Sequence, residues 1–366
     1  MDNSETIILT EKEETCVRRK ATTLVSSKTV LLQPKTQWIA VHLHRDMLSR
    51  RHLRIKVMQA LYAHFQSDDN NLNLSEKGLV SAIGSIYDLY IYLLSAILET
   101  GDFARNRMEE GRQKFLPTEE EINPNTRFIN NSLLLQLESN RDLQKNISRI
   151  KISWADHQEI FRKIFTQFRE SEAYHKYMES SVSSFRDDKE VLMFLFGEIM
   201  LGNEAFTSLF EEKNINWADD IDTAAMMVAK TIKKWDASFD EFHPLPPLMV
   251  NPDEEGDDLI RDFVLQLFRK TIIHSSRSAD LIAERAQNWE IERIAVLDVI
   301  LIKMAITEFT EFPSIPIKVT INEYIEISKE YSTPRSRQFI NGILDKLVTD
   351  LKAEGVLKKS GRGLLE

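Results

Sequence analysis

Between Leu48 and Met58 stand Arg50, Arg51, Arg54 and Lys56, with no acidic residue among them. Residues three and four apart share a helix face, so Arg54 is expected to stand with both Arg50 and Arg51. Like charges so placed repel by roughly a few tenths of a kcal/mol per close pair. A phosphate backbone would relieve that repulsion; the alternative is an ordinary solvated face. His52 and Tyr62 add flat rings able to stack on unpaired bases, although Tyr62 is equally a half-buried core residue. Near the other end, Thr333-Pro334 reads as an N-cap with proline at the first helical position. That puts Ser336, Arg337, Gln338 and Phe339 in the first turns, where free backbone N–H groups favour an anion. Phe339 also fits a core stripe with Ile343 and Leu347.

Nothing comparable points to catalysis. There is no glycine-rich phosphate loop, no H-E-x-x-H and no G-x-S-x-G. Carboxylates are plentiful, yet none pairs convincingly with a histidine or a second acid. The single cysteine, Cys16, excludes a disulfide framework and paired-cysteine zinc. The reading is therefore a binding protein, not an enzyme, with no cofactor and no metal.

These residues need helices to position them. Only 11 of 366 residues are glycine, which disfavours the many tight turns of a β-sandwich or barrel. A composition 42% hydrophobic and 28% charged is that of a globular chain. The net charge of −10 counts against nucleic acid as a whole, but phosphates are met by local patches. Acid concentrates in Glu119–Glu121 and Asp253–Asp258, away from the basic stretch. No apolar run approaches the roughly 18 residues of a membrane span. The start lacks a basic region leading into an apolar one, so a cytoplasmic setting without membrane contact is expected.

Residues 1–46 show little periodicity and read as a flexible tail, with Met47 an alternative start. From Leu48 to Phe65, Leu53, Val57, Leu61 and Phe65 form one apolar stripe. A second, very apolar helix is predicted over 76–100, capped by Ser75 and ended by Gly101-Asp102. Ser153–Asp156 reads as a capping box. Further helices are predicted over about 187–210 and 217–235. His243-Pro244-Leu245-Pro246-Pro247 through Asp258 reads as a linker. Beyond it come helices near 257–274, 277–287, 289–310, 321–331 and 334–352, with Thr320–Glu323 as a capping box, and a frayed tail over 353–366. A shift of 72 residues pairs Leu195-Phe196 with Leu267-Phe268, Glu212 with Glu284, and Asn216-Trp217 with Asn288-Trp289. Either two amphipathic stretches look alike by chance, or the chain carries a decayed copy of one helical unit.

The stretch Arg50–Tyr62, an arginine cluster followed by "QALY", resembles the opening helix of NusB proteins. "NWEIERIAVLDVILIKMAITEF" (Asn288–Phe309), "IPIKVTINEYIEISKEYS" (Ile315–Ser332) and "SRQFINGILDKL" (Ser336–Leu347) resemble later blocks of that family in its order. The resemblance covers about 47–66 and 255–350. It implies an all-α fold, a NusB-like pair of helical bundles, here split by a large helical insertion at 67–254. The module's remainder is then 255–352. It further implies transcription antitermination: binding of a boxA-type ribosomal RNA leader element together with ribosomal protein NusE, within an RNA polymerase complex. By the same resemblance, Phe339 lies beside RNA, and Glu292 and Asp298 face NusE. Lys303 stands where the family usually has arginine, and Val299 where it has a basic group. Lysine keeps the charge but loses the planar fork. Two rivals remain: a NusB-like module attached to an rRNA methyltransferase, which needs a Rossmann-like domain that 67–254 does not suggest, and a protein scaffold that binds no RNA.

Overall fold

The computed structural model describes residues 48–68, 71–182, 184–248, 258–286 and 294–364. Helices dominate, and no strand occurs among these residues. The expected tail at 1–46 and Trp289 lie outside them.

Helix α1 (Arg50–Gln66) starts at Ser49, whose side chain accepts from the His52 backbone N–H. Helix α2 (Leu72–Arg112) starts at Asn71, capping through Leu74, four residues before Ser75. It runs 41 residues, roughly 60 Å at 1.5 Å per residue. Gly101 does not end it. A Cβ there would sit 2.7 Å from Leu134 Cδ2, so the glycine gives α4 (Ser132–Ser139) its close approach. One glycine costs about 1 kcal/mol in a helix interior, too little to stop a helix with this much buried surface. By length and composition α2 also passes for a membrane span, against the sequence reading, but 61% of the apolar stretch is buried inside the molecule.

The remaining insertion helices are α3 (Glu119–Ile122), α5 (Arg141–Ile150), α6 (Gln158–Arg169), α7 (Glu172–Glu179), α8 (Phe185–Phe194), α9 (Glu204–Lys213) and α10 (Ile221–Lys234). The helix predicted over 187–210 is interrupted by a π-helical turn at Leu195–Met200 and by Gly202. There a Cβ would meet the Glu198 carbonyl oxygen at 2.4 Å. Ser153 leads into a 3-10 turn and not a helical capping box. The segment read as a solvated linker is docked up to Leu248. Leu245 is buried, its N–H bonds Asp142 Oδ2 at 3.0 Å, and Asn140 Nδ2 donates to the His243 carbonyl at 2.7 Å.

The last five helices are α11 (Asp258–Ile273), α12 (Ser275–Arg285), α13 (Val296–Glu311), α14 (Ile317–Tyr331) and α15 (Ser336–Ala353). Helix α1 packs on α11, α13 and α14, although about 190 residues separate them, and also on α2. One continuous apolar core joins insertion and module. The 72-residue shift carries α8 with its π turn onto α11, α9 onto α12 and α10 onto α13, to within a few residues at most ends. The frayed tail is corrected too. Lys359 Nζ donates to the Phe312 carbonyl at 2.9 Å, Ser360 N–H bonds the Pro313 carbonyl at 3.0 Å, and Gly361–Leu364 forms a 3-10 turn over it.

Candidate nucleic-acid interface

The four cations of α1 do not form one patch. Arg50 is exposed, its guanidinium 5.7 Å from the Phe263 ring centroid. Arg51 is 39% exposed and grips Glu323 of α14 through Nε and Nη2, both at 2.9 Å. Arg54, expected beside them, is 2% exposed. It pairs with the fully buried Glu308 of α13, Nε at 2.8 Å and Nη2 at 2.7 Å. The spacing 54, 58, 61, 65 places it within the apolar stripe, a helix-wheel signal the charge reading overlooked. Lys56 is buried as well, its Nζ 2.7 Å from Asp220 at the start of α10.

Glu308 is held from every side. Thr320 Oγ1 donates to Oε1 at 2.7 Å and the Tyr324 hydroxyl to Oε2 at 3.1 Å. A buried ion pair is tolerable only when its remaining lone pairs are met in this way. Burial alone would lower the Arg54 pKa, but Glu308 more than offsets it and holds the guanidinium charged. Thr320 is therefore no N-cap. Helix α14 opens earlier, after Pro316, because Thr320 and Tyr324 are needed on the inward face. Glu308, Thr320, Glu323 and Tyr324 were all missed as members of this network. A lone acid between Thr307 and Phe309 in an otherwise apolar run was the available clue.

His52 is largely withdrawn from solvent, with Nδ1 2.8 Å from Ser49 Oγ. Burial, reinforced by the charges of Lys230 and Arg51, lowers its pKa to about 4, so it stands neutral. Tyr62 is 42% exposed. Lys303 donates to Ser275 Oγ at 2.7 Å and sits 5.1 Å above the Phe65 ring. Burial lowers its pKa, and among the described residues no carboxylate pairs with it.

At the start of α15 the expected set divides. Thr333 and Pro334 form a turn before the helix, which begins at Ser336 without a side-chain cap. The Ser336 Oγ is turned inward, accepting from the Thr333 N–H at 3.1 Å and meeting Ser332 Oγ at 2.9 Å. Ser332 Oγ in turn donates to Asp298 at 2.5 Å. Asp298, expected to face NusE, is instead a buried anchor for the α14–α15 turn with its side chain withdrawn from the surface, and Glu292 lies outside the described residues. Phe339 is 4% exposed within the core, the stripe position that the sequence left open. Arg337 and Gln338 are exposed. Glu326 feels Lys329 first and then both Arg51 and Arg337, so those two arginines flank one strip of α14. The structure brings Arg50, Arg51, Arg337 and Gln338 to the surface, sets Lys303 and Tyr62 toward the other end of α1, and buries Arg54, Ser336 and Phe339.

These elements define an all-helical module in which one basic helix is clasped by the far end of the chain. The family model described as NusB family matches residues 222–349. A relative from Salinibacter ruber (strain DSM 13855 / M31), named transcription antitermination protein NusB, is 47% identical over 111 residues, covering 30% of this chain and 69% of the relative. Proteins of the same name from Chloroherpeton thalassium (strain ATCC 35110 / GB-78) and Koribacter versatilis (strain Ellin345) are 41% and 39% identical, over 32% and 27% of this chain and 56% and 67% of their own lengths. No solved structure matches. The chain belongs to the NusB family.

Proposed function

We propose that this protein is a transcription antitermination factor that binds a boxA-type leader RNA together with ribosomal protein NusE, as part of an RNA polymerase complex in the cytoplasm. The observation that carries the reading is that Arg50, Arg51, Arg337 and Gln338 stay at the surface after Arg54 and Lys56 are buried in ion pairs, Arg51 with Glu323 as its partner, while Lys303 has no carboxylate partner among the described residues. Phosphate contacts to these side chains would place the strand, and stacking on Tyr62 would help to select it. The named relatives support the antitermination role.

One observation favours a scaffold that binds no RNA: Glu323, Glu326 and Glu330 all stand within electrostatic reach of Arg51. A single titration separates the two. The double reversal R50E/R51E is measured against a labelled single-stranded boxA-type RNA, with and without NusE, at matched salt. The RNA reading expects binding to be lost with helical content unchanged, and wild-type affinity to fall steeply with salt. Equal affinity of wild type and variant would sink it.

A further inference from the structure

Four charged side chains alternate in sign from the core to the surface: Glu308, Arg54, Glu323, Arg51. Glu308 is fully buried and Arg54 nearly so. The Arg54 Nη1 lies 3.9 Å from a Glu323 oxygen. Glu323 is 20% exposed and Arg51 39%. Each arginine grips its inner carboxylate sideways, through Nε and Nη2. A guanidinium carries five N–H donors in a rigid fork, and sideways pairing uses two. For Arg54 the leftover edge is turned to Glu323. For Arg51 the corresponding edge is turned outward, and among the described residues its Nη1 has no hydrogen-bond partner.

We propose that Glu323 is a positioning residue: it clamps the Arg51 guanidinium so that the outer Nη1–Nη2 edge offers a fixed fork to one phosphodiester of the bound RNA. This rests on the RNA-binding reading above. Glu323 itself is anchored, because its other neighbour, Arg54, is locked to Glu308. A long arginine side chain otherwise loses rotamer freedom on binding, and here that loss is taken in advance. Glu326 and Glu330 also stand within electrostatic reach of Arg51, but Glu326 is itself bonded to Lys329 and lies near Arg337.

The test compares Arg51→Ala, Glu323→Ala, Glu323→Gln and the pair R51A/E323A in the full-length protein, with a labelled single-stranded boxA-type RNA as probe. Melting curves confirm folding, and Glu323→Gln keeps the side-chain volume should Glu323→Ala fail to fold. Arg51→Ala is expected to weaken binding roughly tenfold, as for loss of a charge-assisted bond. It should also reduce the slope of log affinity against log salt by about 0.7, one single-strand phosphate contact. Glu323→Ala should weaken binding severalfold and flatten the slope in the same way, which a purely structural role would not do. Glu323→Gln should fall between, and the double variant should bind no worse than Arg51→Ala alone. Tighter binding by the Glu323 variants would mark the residue as a competitor for Arg51 and overturn the proposal. Unchanged binding by them, with Arg51→Ala weakened, overturns positioning and leaves the RNA reading intact. If Arg51→Ala binds like wild type, the Arg51 contact itself fails and this inference goes with it.

Discussion

Charged residues that look alike in sequence have opposite fates here, and substitutions expose the difference. Removing Glu308 by alanine substitution leaves Arg54 buried without its partner, which costs about 3–5 kcal/mol. Replacing the whole network by apolar residues, as in R54M/E308L/T320V/Y324F, should recover most of that in urea melts, because neither a buried charge nor a buried hydroxyl is then left without a partner. Phe339→Ala is expected to lose about 3–5 kcal/mol of stability, as for a core ring, with RNA affinity of the folded fraction nearly unchanged. A large affinity loss with a normal melt would return the ring to the RNA face. His52 gives a pH signature. Its pKa is about 4 in the fold against 6.5 in the unfolded chain, so the unfolded state takes up the proton first as pH falls. Stability attributable to neutral His52 is full above pH 6.5 and is lost between there and pH 4, on the order of 3 kcal/mol. The difference in melting temperature between wild type and His52→Asn, followed over that window, isolates this contribution from the carboxylates. Of the candidate site, the surface arginines were legible from charge clustering alone. The burial of Arg54 was signalled only by its place in the apolar stripe and that of Lys56 by no local pattern, and their partners Glu308 and Asp220 lie far away in sequence.

At the level of elements, the order of helices α10 to α15 was readable from apolar periodicity, whereas α8 and α9 were read as one helix, and ends were often misplaced for a common reason. Local capping rules compete with tertiary demands, and the latter prevailed at Thr320, Pro334 and Gly101. The C-terminal tail shows the same effect. It lacks periodicity, yet Lys359 caps the carbonyls at the end of α13, as cations near helix C-termini do. Gly363 sits so tightly that a Cβ would lie 1.9 Å from the Pro313 oxygen. Because that contact is backbone, Gly363→Ala should detach the tail and lower stability by roughly 1–3 kcal/mol, matching a deletion of residues 354–366. A urea midpoint for Gly363→Ala equal to wild type would show the tail to be undocked in solution. The repeated order of α8 to α10 and α11 to α13 favours the second reading of the sequence echo, a copied three-helix unit, over chance similarity of two amphipathic stretches.

For the whole molecule, the common core predicts cooperative unfolding. Trp154, Trp217 and Trp235, all buried in the insertion, report on it by fluorescence once Trp38 and Trp289 are replaced by phenylalanine, whereas far-UV circular dichroism averages over every helix. The two signals should give one coincident urea transition; separate midpoints would show that the insertion melts as a unit of its own. The joining of α1 to helices at the far end also has a consequence during synthesis. Arg54 and Glu308 are 254 residues apart, and Lys56 and Asp220 are 164 apart. At roughly 5–20 residues per second on the ribosome, the nascent Arg54 waits on the order of 13–50 s for its carboxylate, and Lys56 about two thirds as long. The insertion leaves the exit tunnel first. Its α2 and α10 are therefore available to shelter α1 before α11, α13 and α14 exist, so the segment that splits the module in sequence is placed to act as its temporary partner during translation.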